Sequence, residues 1–482
     1  EYKGEFTVFE VADGYSVGHI TGGSAASRVV AGDRLTFSRR LSAAEVLRGE
    51  ARPAPDGFLG TLPSKEQFLA RLDEFAGRPV TVALARLDSF EKNVAALGRE
   101  EAERILTFVF EKLSVAFPQA VQCLWQSDAL ALAWPGDDQA AAKPVAYRLA
   151  AELKEPGPVS LGLVFSPGGE APESLVDDAR KALNEAAFAG PGQVAVFGPL
   201  SLNVSGDRLF EGGDLSGALK EYERGLAMSP SHLNLLNSLG VCHGRLGHAS
   251  QALEVFTKIA ELDSDNMMAH YNLGYTHLLS GRMREAEASM GRAAELAPDN
   301  FEPLFHFGKI ALELGHLDRA LPALKRAGEL GESRPVVFRL LGEALMLAHD
   351  HQGALAAFKK AVKTAPNDAY ALSALGALFV ELSNDREVAR SLFQKSVEID
   401  PTNCLYRQRL GRLLFTLGDY DGAEHHLTMA VEYGSRAPEV HYQLGRVAEE
   451  TGRPEQARSH YQAALDQDPA YKPALERVDG AE

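Results

Sequence analysis

Few residues in this chain have the types and spacing that bond-making chemistry needs. Its fourteen histidines contain no His-Glu-x-x-His arrangement, so no zinc or other metal site is expected. Cys123, Cys242 and Cys404 are widely scattered, form no Cys-x-x-Cys pair and are odd in number, which fits structural thiols in a reducing cytoplasm. Two acids, Glu103 and Asp128 in the segment Gln126-Ser127-Asp128-Ala129-Leu130, are the candidates for metal-assisted phosphoryl transfer. That chemistry needs several carboxylates to hold the ions that neutralise a triphosphate, and ordinary surface acids account for both residues. No catalytic residue and no cofactor is expected.

A second set of residues has the types that recognition needs. Asn237, Tyr271, Tyr275, Phe305, Lys309, Arg339, Tyr370, Arg412, Phe415, Tyr442 and Arg446 interleave aromatic rings with cations. That combination suits a peptide presenting apolar anchors and carboxylates, although some of these side chains coat a solvated helix face.

A repeat must position them. A glycine recurs every 34 residues at Gly206, Gly240, Gly274, Gly308, Gly342 and Gly376, and after a one-residue slip at Gly411 and Gly445. Twelve residues on stands a small residue: Ala218, Ala252, Ala286, Ala320, Ala354, then Val388 or Ala389 at the slip, Ala423 and Ala457. Four further on stands a large apolar one: Tyr222, Phe256, Met290, Leu324, Phe358, Phe393, Leu427 and Tyr461. Gly and Ala let two helices approach, and the large residue fills the space between hairpins. Pro230, Pro298, Pro366, Pro401 and Pro469 end the second helix. Gly213, Gly247, Gly281, Gly315, Gly418 and Gly452 mark turns between the helices.

This pattern resembles the tetratricopeptide repeat family over roughly residues 199–471, with residues 472–482 as a capping helix or tail. The resemblance implies about eight hairpins over 200–471, stacked into an all-α superhelical solenoid. Its concave groove would be lined by the first helix of each unit, at the second, fifth, ninth and twelfth or thirteenth positions, which are the residues named above. Some members grip a C-terminal carboxylate with Lys and Asn. Here Glu302 and His306 stand where cations would be needed, although Asn237 and Asn272 fall near suitable places, so that mode is not expected.

Residues 56–199 have a different texture. Strands are predicted at Val80–Leu87, Ala120–Trp125, Ala129–Trp134, Val159–Phe165 and Gln193–Phe197, with helices at Lys92–Ala116, Ala140–Leu153 and Glu173–Phe188. The order βαββαβαβ implies an α/β sandwich on a mixed sheet. With the segments Leu62-Pro63-Ser64-Lys65, Leu87-Asp88-Ser89-Phe90, Leu161-Gly162-Leu163 and Asp178 to Gly190, it resembles the GGDEF domain of diguanylate cyclases; a generic ferredoxin-like domain is the alternative. Carried across, the signature glycines are Gln126 and Ser127, Asp128 survives, and the following Glu is Ala129. The metal-binding Asp is Arg86, a cation that would repel Mg²⁺. The guanine-reading pair is Val94 and Glu103, and the phosphate-gripping residues are Ala187 and Pro191. The resemblance therefore implies a degenerate, catalytically inactive domain.

Residues 1–55 read as a small β-rich segment, alternating over Phe6–Val11 and Tyr15–Ile20 and continuing at Val29–Phe37, with a linker at Ala51–Gly57. The formal net charge of −17 argues against nucleic acid as the main partner. No run of eighteen apolar residues spans a membrane, while a start at Glu1 rather than Met points to a trimmed chain and leaves room for a membrane anchor upstream of residue 1. The expected function is a cytoplasmic, bacterial-type signalling or assembly scaffold. The alternative is a sensor of GTP or cyclic di-GMP whose degenerate domain regulates partner binding.

Overall fold

The computed structural model describes residues 5–12, 15–21, 58–88, 90–153, 157–383 and 385–479. The predicted strand at Val29–Phe37 and the linker at Ala51–Gly57 lie outside them. The chain divides into two compact units, Glu1–Val255 and Phe256–Glu482.

The first unit begins with an antiparallel hairpin, β1 (Glu5–Ala12) and β2 (Tyr15–Thr21). A short helix α1 (Phe58–Thr61) precedes α2 (Lys65–Asp73), which starts where Ser64 and Gln67 form a reciprocal capping box. The five-stranded sheet that follows runs β4 (Val121–Gln126), β5 (Ala129–Pro135), β3 (Val80–Leu87), β6 (Val159–Ser166) and β7 (Val194–Val196) in space. All neighbours are antiparallel except β6 and β7. The central strands are buried on both faces, so their sequences are nearly continuous apolar runs.

Alternation along β3 assigns the faces. Ala83, Ala85 and Leu87 pack with α4 (Arg99–Ala116) and α5 (Gln139–Glu152). Val82 and Leu84 pack with α2 and α6 (Pro172–Ala189). Gly162 of β6 lies so close under α6 that a methyl group there would meet the Leu183 backbone. The single long helix predicted over Lys92–Ala116 is in fact two: α3 (Phe90–Leu97) ends at Gly98, whose φ of 85° no L-residue adopts readily, and α4 begins after it.

Helix α7 (Pro199–Glu211) follows β7 without a tether and forms a hairpin with α8 (Leu215–Met228). This hairpin docks on α6 through charge. Asp178, buried, receives both guanidinium nitrogens of Arg224 at 2.7 and 2.6 Å, and Lys181, also buried, reaches Glu221 at 2.8 Å. Arg224 also stacks over Phe197 at 5.1 Å, and Ser201 donates to Glu185 at 2.5 Å. Helix α9 (Leu233–Arg245) packs on α7 and α8. Helix α10 spans Ala249–Leu262.

The second unit continues as hairpins of α11 (Met267–Leu279) with α12 (Met283–Leu296), α13 (Phe301–Glu313) with α14 (Leu317–Leu330), and α15 (Pro335–Leu347) with α16 (His351–Thr364). Three more follow: α17 (Ala369–Leu382) with α18 (Arg386–Ile399), α19 (Cys404–Thr416) with α20 (Tyr420–Glu432), and α21 (Pro438–Glu450) with α22 (Pro454–Gln467), closed by α23 (Lys472–Asp479). Asn266, Asn300, Asp368 and Asn403 cap first helices, and Asp350, Asp385 and Asp419 cap second helices, each accepting from a backbone N–H. The periodic glycine of each first helix of this unit faces the large residue sixteen positions on, or seventeen at the slip, where Gly376 faces Phe393. A Cβ at Gly342 would stand 2.8 Å from the Phe358 ring, and one at Gly411 2.7 Å from Leu427. Helix α17 has 14 residues where the other first helices of this unit have 13, which locates the slip in the spacing.

Candidate functional site

Within the second unit, first helices of adjacent hairpins touch each other: α13 meets α15, α17 meets α19, and α19 meets α21. Every recognition residue predicted beyond Asn237 stands on one of them.

Tyr271 and Tyr275 stack one turn apart, with centroids 6.5 Å apart. His306 meets both edge-on, at 5.9 and 6.3 Å, and Phe305 at 5.3 Å. Burial holds the His306 imidazole below its usual range and pushes the Tyr271 phenol above it. A neutral histidine among aromatic rings is an apolar-binding surface with one polar edge. Glu302, at a place where a cation would be needed to grip a carboxylate, is taken by Arg334 at 2.6 Å, and Arg334 in turn lies 4.0 Å over Phe301. Lys309 pairs loosely with Glu313 at 3.9 Å.

Further along, Arg339 stands 5.7 Å over the Tyr370 ring and 3.5 Å from Asp368. Next to it is a residue the sequence reading missed. Arg409 is partly buried and donates to the Ser373 hydroxyl at 2.8 Å, and among the described residues neither it nor the exposed Arg412 has a carboxylate within 4 Å. Burial pushes the Arg409 guanidinium below its ordinary range. The signal was the Arg409–Arg412 spacing of three on one helix; Arg409 lies off the family's usual contact positions. Arg446 stacks over Phe415 at 5.3 Å and faces Glu449 and Glu450 at 3.6 and 3.8 Å, while Tyr442 packs on Tyr471 of the closing segment.

In the first unit the residues of the degenerate nucleotide site come together only in part: Arg86, Asp128, Ala129 and Ala187 lie near one another, and Val94, Glu103 and Pro191 stand apart. Arg86 leaves β3 on the α6 side and pairs with Asp88 at 3.3 Å. Asp128, in the β4–β5 turn, has its carboxyl pushed up by burial, with Arg86 opposing, and Ala129 is buried opposite Arg86 in the sheet register. Val94 packs into the other sheet face, Glu103 pairs with Arg99 on α4 at 2.7 Å, and Pro191 is exposed. Ala187 lies with Arg86 in a cleft between α6 and the first hairpin, beside Asn237. Among the described residues, no group of three or more His, Cys, Asp or Glu side chains is arranged to hold a metal, and no helix is long and apolar enough to cross a membrane.

Residues 243–301, 305–369, 339–403 and 409–472 match a tetratricopeptide repeat family model, and residues 392–425 match a second one. Among solved structures, YrrB, described as a TPR protein with an unusual peptide-binding site, is 22% identical over 40% of this chain and 100% of its own, with a TM-score of 0.36. PilF of Pseudomonas aeruginosa is 16% identical over 44% of this chain and 97% of its own, TM-score 0.39. MamA of Desulfovibrio magneticus is 19% identical over 36% and 96%, TM-score 0.33. No curated protein matches. The hairpins of the C-terminal half are tetratricopeptide repeats.

Proposed function

We propose that this protein is a bacterial-type signalling or assembly scaffold that holds a partner polypeptide along the first-helix side of its repeats. The observation that carries the reading is the pair Arg409 and Arg412, cations without a carboxylate within 4 Å among the described residues, with Arg409 near Tyr370, on the same series of first helices that carries Tyr271, Tyr275 and Phe305. A partly buried guanidinium held only by a hydroxyl gains several hydrogen bonds from an incoming carboxylate. The partner therefore presents an acidic group next to apolar side chains. Comparing proteins captured by the wild-type chain and by the Tyr271→Ala/Arg339→Ala double variant tests this. Loss of the captured partner is expected; unchanged capture would remove the first-helix side as the binding surface.

The α/β domain, in this reading, is a cyclase-like module that has lost its chemistry. Support comes from Arg86, a cation held by Asp88 where metal-binding acids would be required, and from the dispersal of Val94, Glu103 and Pro191. Calorimetry of the whole chain with GTP and with cyclic di-GMP is expected to show no heat at micromolar concentrations. Micromolar binding would favour the nucleotide sensor instead.

A further inference from the structure

Of the cations predicted for recognition in the second unit, three face acids. Lys309 lies 3.9 Å from Glu313, Arg339 lies 3.5 Å from Asp368, and Arg446 lies 3.6 and 3.8 Å from Glu449 and Glu450. Arg412 does not, and neither does Arg409, one turn before it on α19. Arg409 is partly buried and spends one guanidinium nitrogen on the buried Ser373 hydroxyl of α17 at 2.8 Å. Burial, with Arg412 assisting and Tyr370 opposing, pushes its guanidinium below the ordinary range. Two like charges side by side, one of them partly desolvated and neither with a counterion, make a site that an anion relieves.

The surroundings add donors rather than acids. Besides Arg412, the groups that act on the Arg409 charge are Tyr370 of α17 and Tyr406 of α19. Burial pushes both phenols above their usual range, so both hydroxyls keep the proton they can donate. Neither hydroxyl has a hydrogen-bond partner among the described residues. Both hydroxyls and the remaining Arg409 nitrogens are open to solvent, so an incoming group reaches them. Glu343 acts on Tyr370 but stands beyond 4 Å from either arginine, and Asp368 is engaged by Arg339 and by the Ala371 N–H.

Charge and donor number select the ligand. A carboxylate brings one charge and two oxygens, which leaves one guanidinium uncompensated. Two carboxylates would bring the second charge but repel each other at the spacing of one helical turn. A phosphate monoester carries a charge of about −1.5 to −2 at pH 7 on three strong acceptor oxygens, and two neighbouring arginines share it through paired hydrogen bonds. We infer that Arg409 and Arg412, with the hydroxyls of Tyr370 and Tyr406, form a receptor for a phosphorylated side chain of the partner polypeptide. Capture of the partner is then governed by the reaction that adds or removes that phosphate. The inference rests on the proposed function, whose acidic group it names.

The test titrates the whole chain, by fluorescence anisotropy, with degenerate peptide pools that differ only at the central position. One pool carries phosphorylated serine, threonine and tyrosine in equal shares, another glutamate, and the last serine. The phosphorylated pool should bind about tenfold more tightly than the glutamate pool. Arg409→Gln and Arg412→Gln should each abolish that advantage, with melting curves to confirm folding; Arg412 is exposed, so its variant keeps the test open if Arg409→Gln does not fold. The inference is overturned if the glutamate pool binds as tightly as the phosphorylated one, if no pool binds, or if neither variant reduces the difference. Glutamate and phosphorylated pools of equal affinity, both weakened by the arginine variants, would sink the phosphate receptor and leave the proposed function standing. A phosphate advantage that the arginine variants abolish, with partner capture unchanged in the Tyr271→Ala/Arg339→Ala variant, would uphold the receptor and confine the failure to the wider surface.

Discussion

At the scale of single residues, the repeat makes its own control experiments. Gly213, Gly247, Gly281, Gly315, Gly418 and Gly452 occupy the turn with φ between 72° and 85°, whereas the equivalent place in the fifth hairpin is His349, at 58°. A Cβ in that region costs about 1–2 kcal/mol. His349→Gly should therefore raise stability by about 0.5–1 kcal/mol after the added freedom of the unfolded chain is subtracted, measured by urea unfolding. The periodic glycines behave in the opposite sense. Gly342→Ala should cost about 1–3 kcal/mol because the Phe358 ring must move, while Gly244→Ala, in open space on α9, should gain up to about 1 kcal/mol. Equal effects at the two positions would contradict the packing role assigned to the period.

His426 gives a pH dependence. Its ring nitrogen lies 3.2 Å from an Arg407 guanidinium nitrogen, and burial, with help from His425 and Arg407 and against Asp419, holds its pKa down to about 4. The folded value is below the unfolded one, near 6.5, so unfolding takes up a proton between them. Its contribution to stability is present above about 6.5 and is lost as pH falls towards 4. Melting temperature should fall across that window, and His426→Gln should flatten the fall; an unchanged slope would mean the imidazole is solvated.

At the scale of elements, most of what forms was legible because it is periodic. The 34-residue glycine spacing requires two helices and a turn, and the short, nearly continuous apolar run Val80–Leu87 suits a strand buried on both faces. The break at Gly98 was not legible, because a lone glycine inside an apolar pattern is tolerated by helices and only its φ reveals the corner. The residues that dock the first hairpin were equally hidden. Lys181 and Glu221, or Asp178 and Arg224, are distant in sequence, and nothing in either helix announces its partner. Asp178→Ala should cost about 2 kcal/mol, less than for a wholly buried pair because Arg224 keeps contact with water. Hydrogen exchange should localise the loss to α6, α7 and α8. A loss spread evenly through the chain would argue that these helices are not a cooperative dock.

At the scale of the whole molecule, a chain with a net charge of −17 carries a series of cations, Arg339, Arg409, Arg412 and Arg446, on the first helices of its second unit. An acidic protein that gathers cations on one surface concentrates its attraction for carboxylates there and repels acidic chains elsewhere. The measurement that meets this account most directly is photo-crosslinking in cells, with a benzophenone amino acid placed singly at Tyr275, Phe305 or Arg412 of the first helices, or at Arg326 or Lys359 of the second. The account predicts a discrete polypeptide adduct from the first three positions and none from the last two. Adducts of equal yield from both sets, or from the second helices alone, would contradict it.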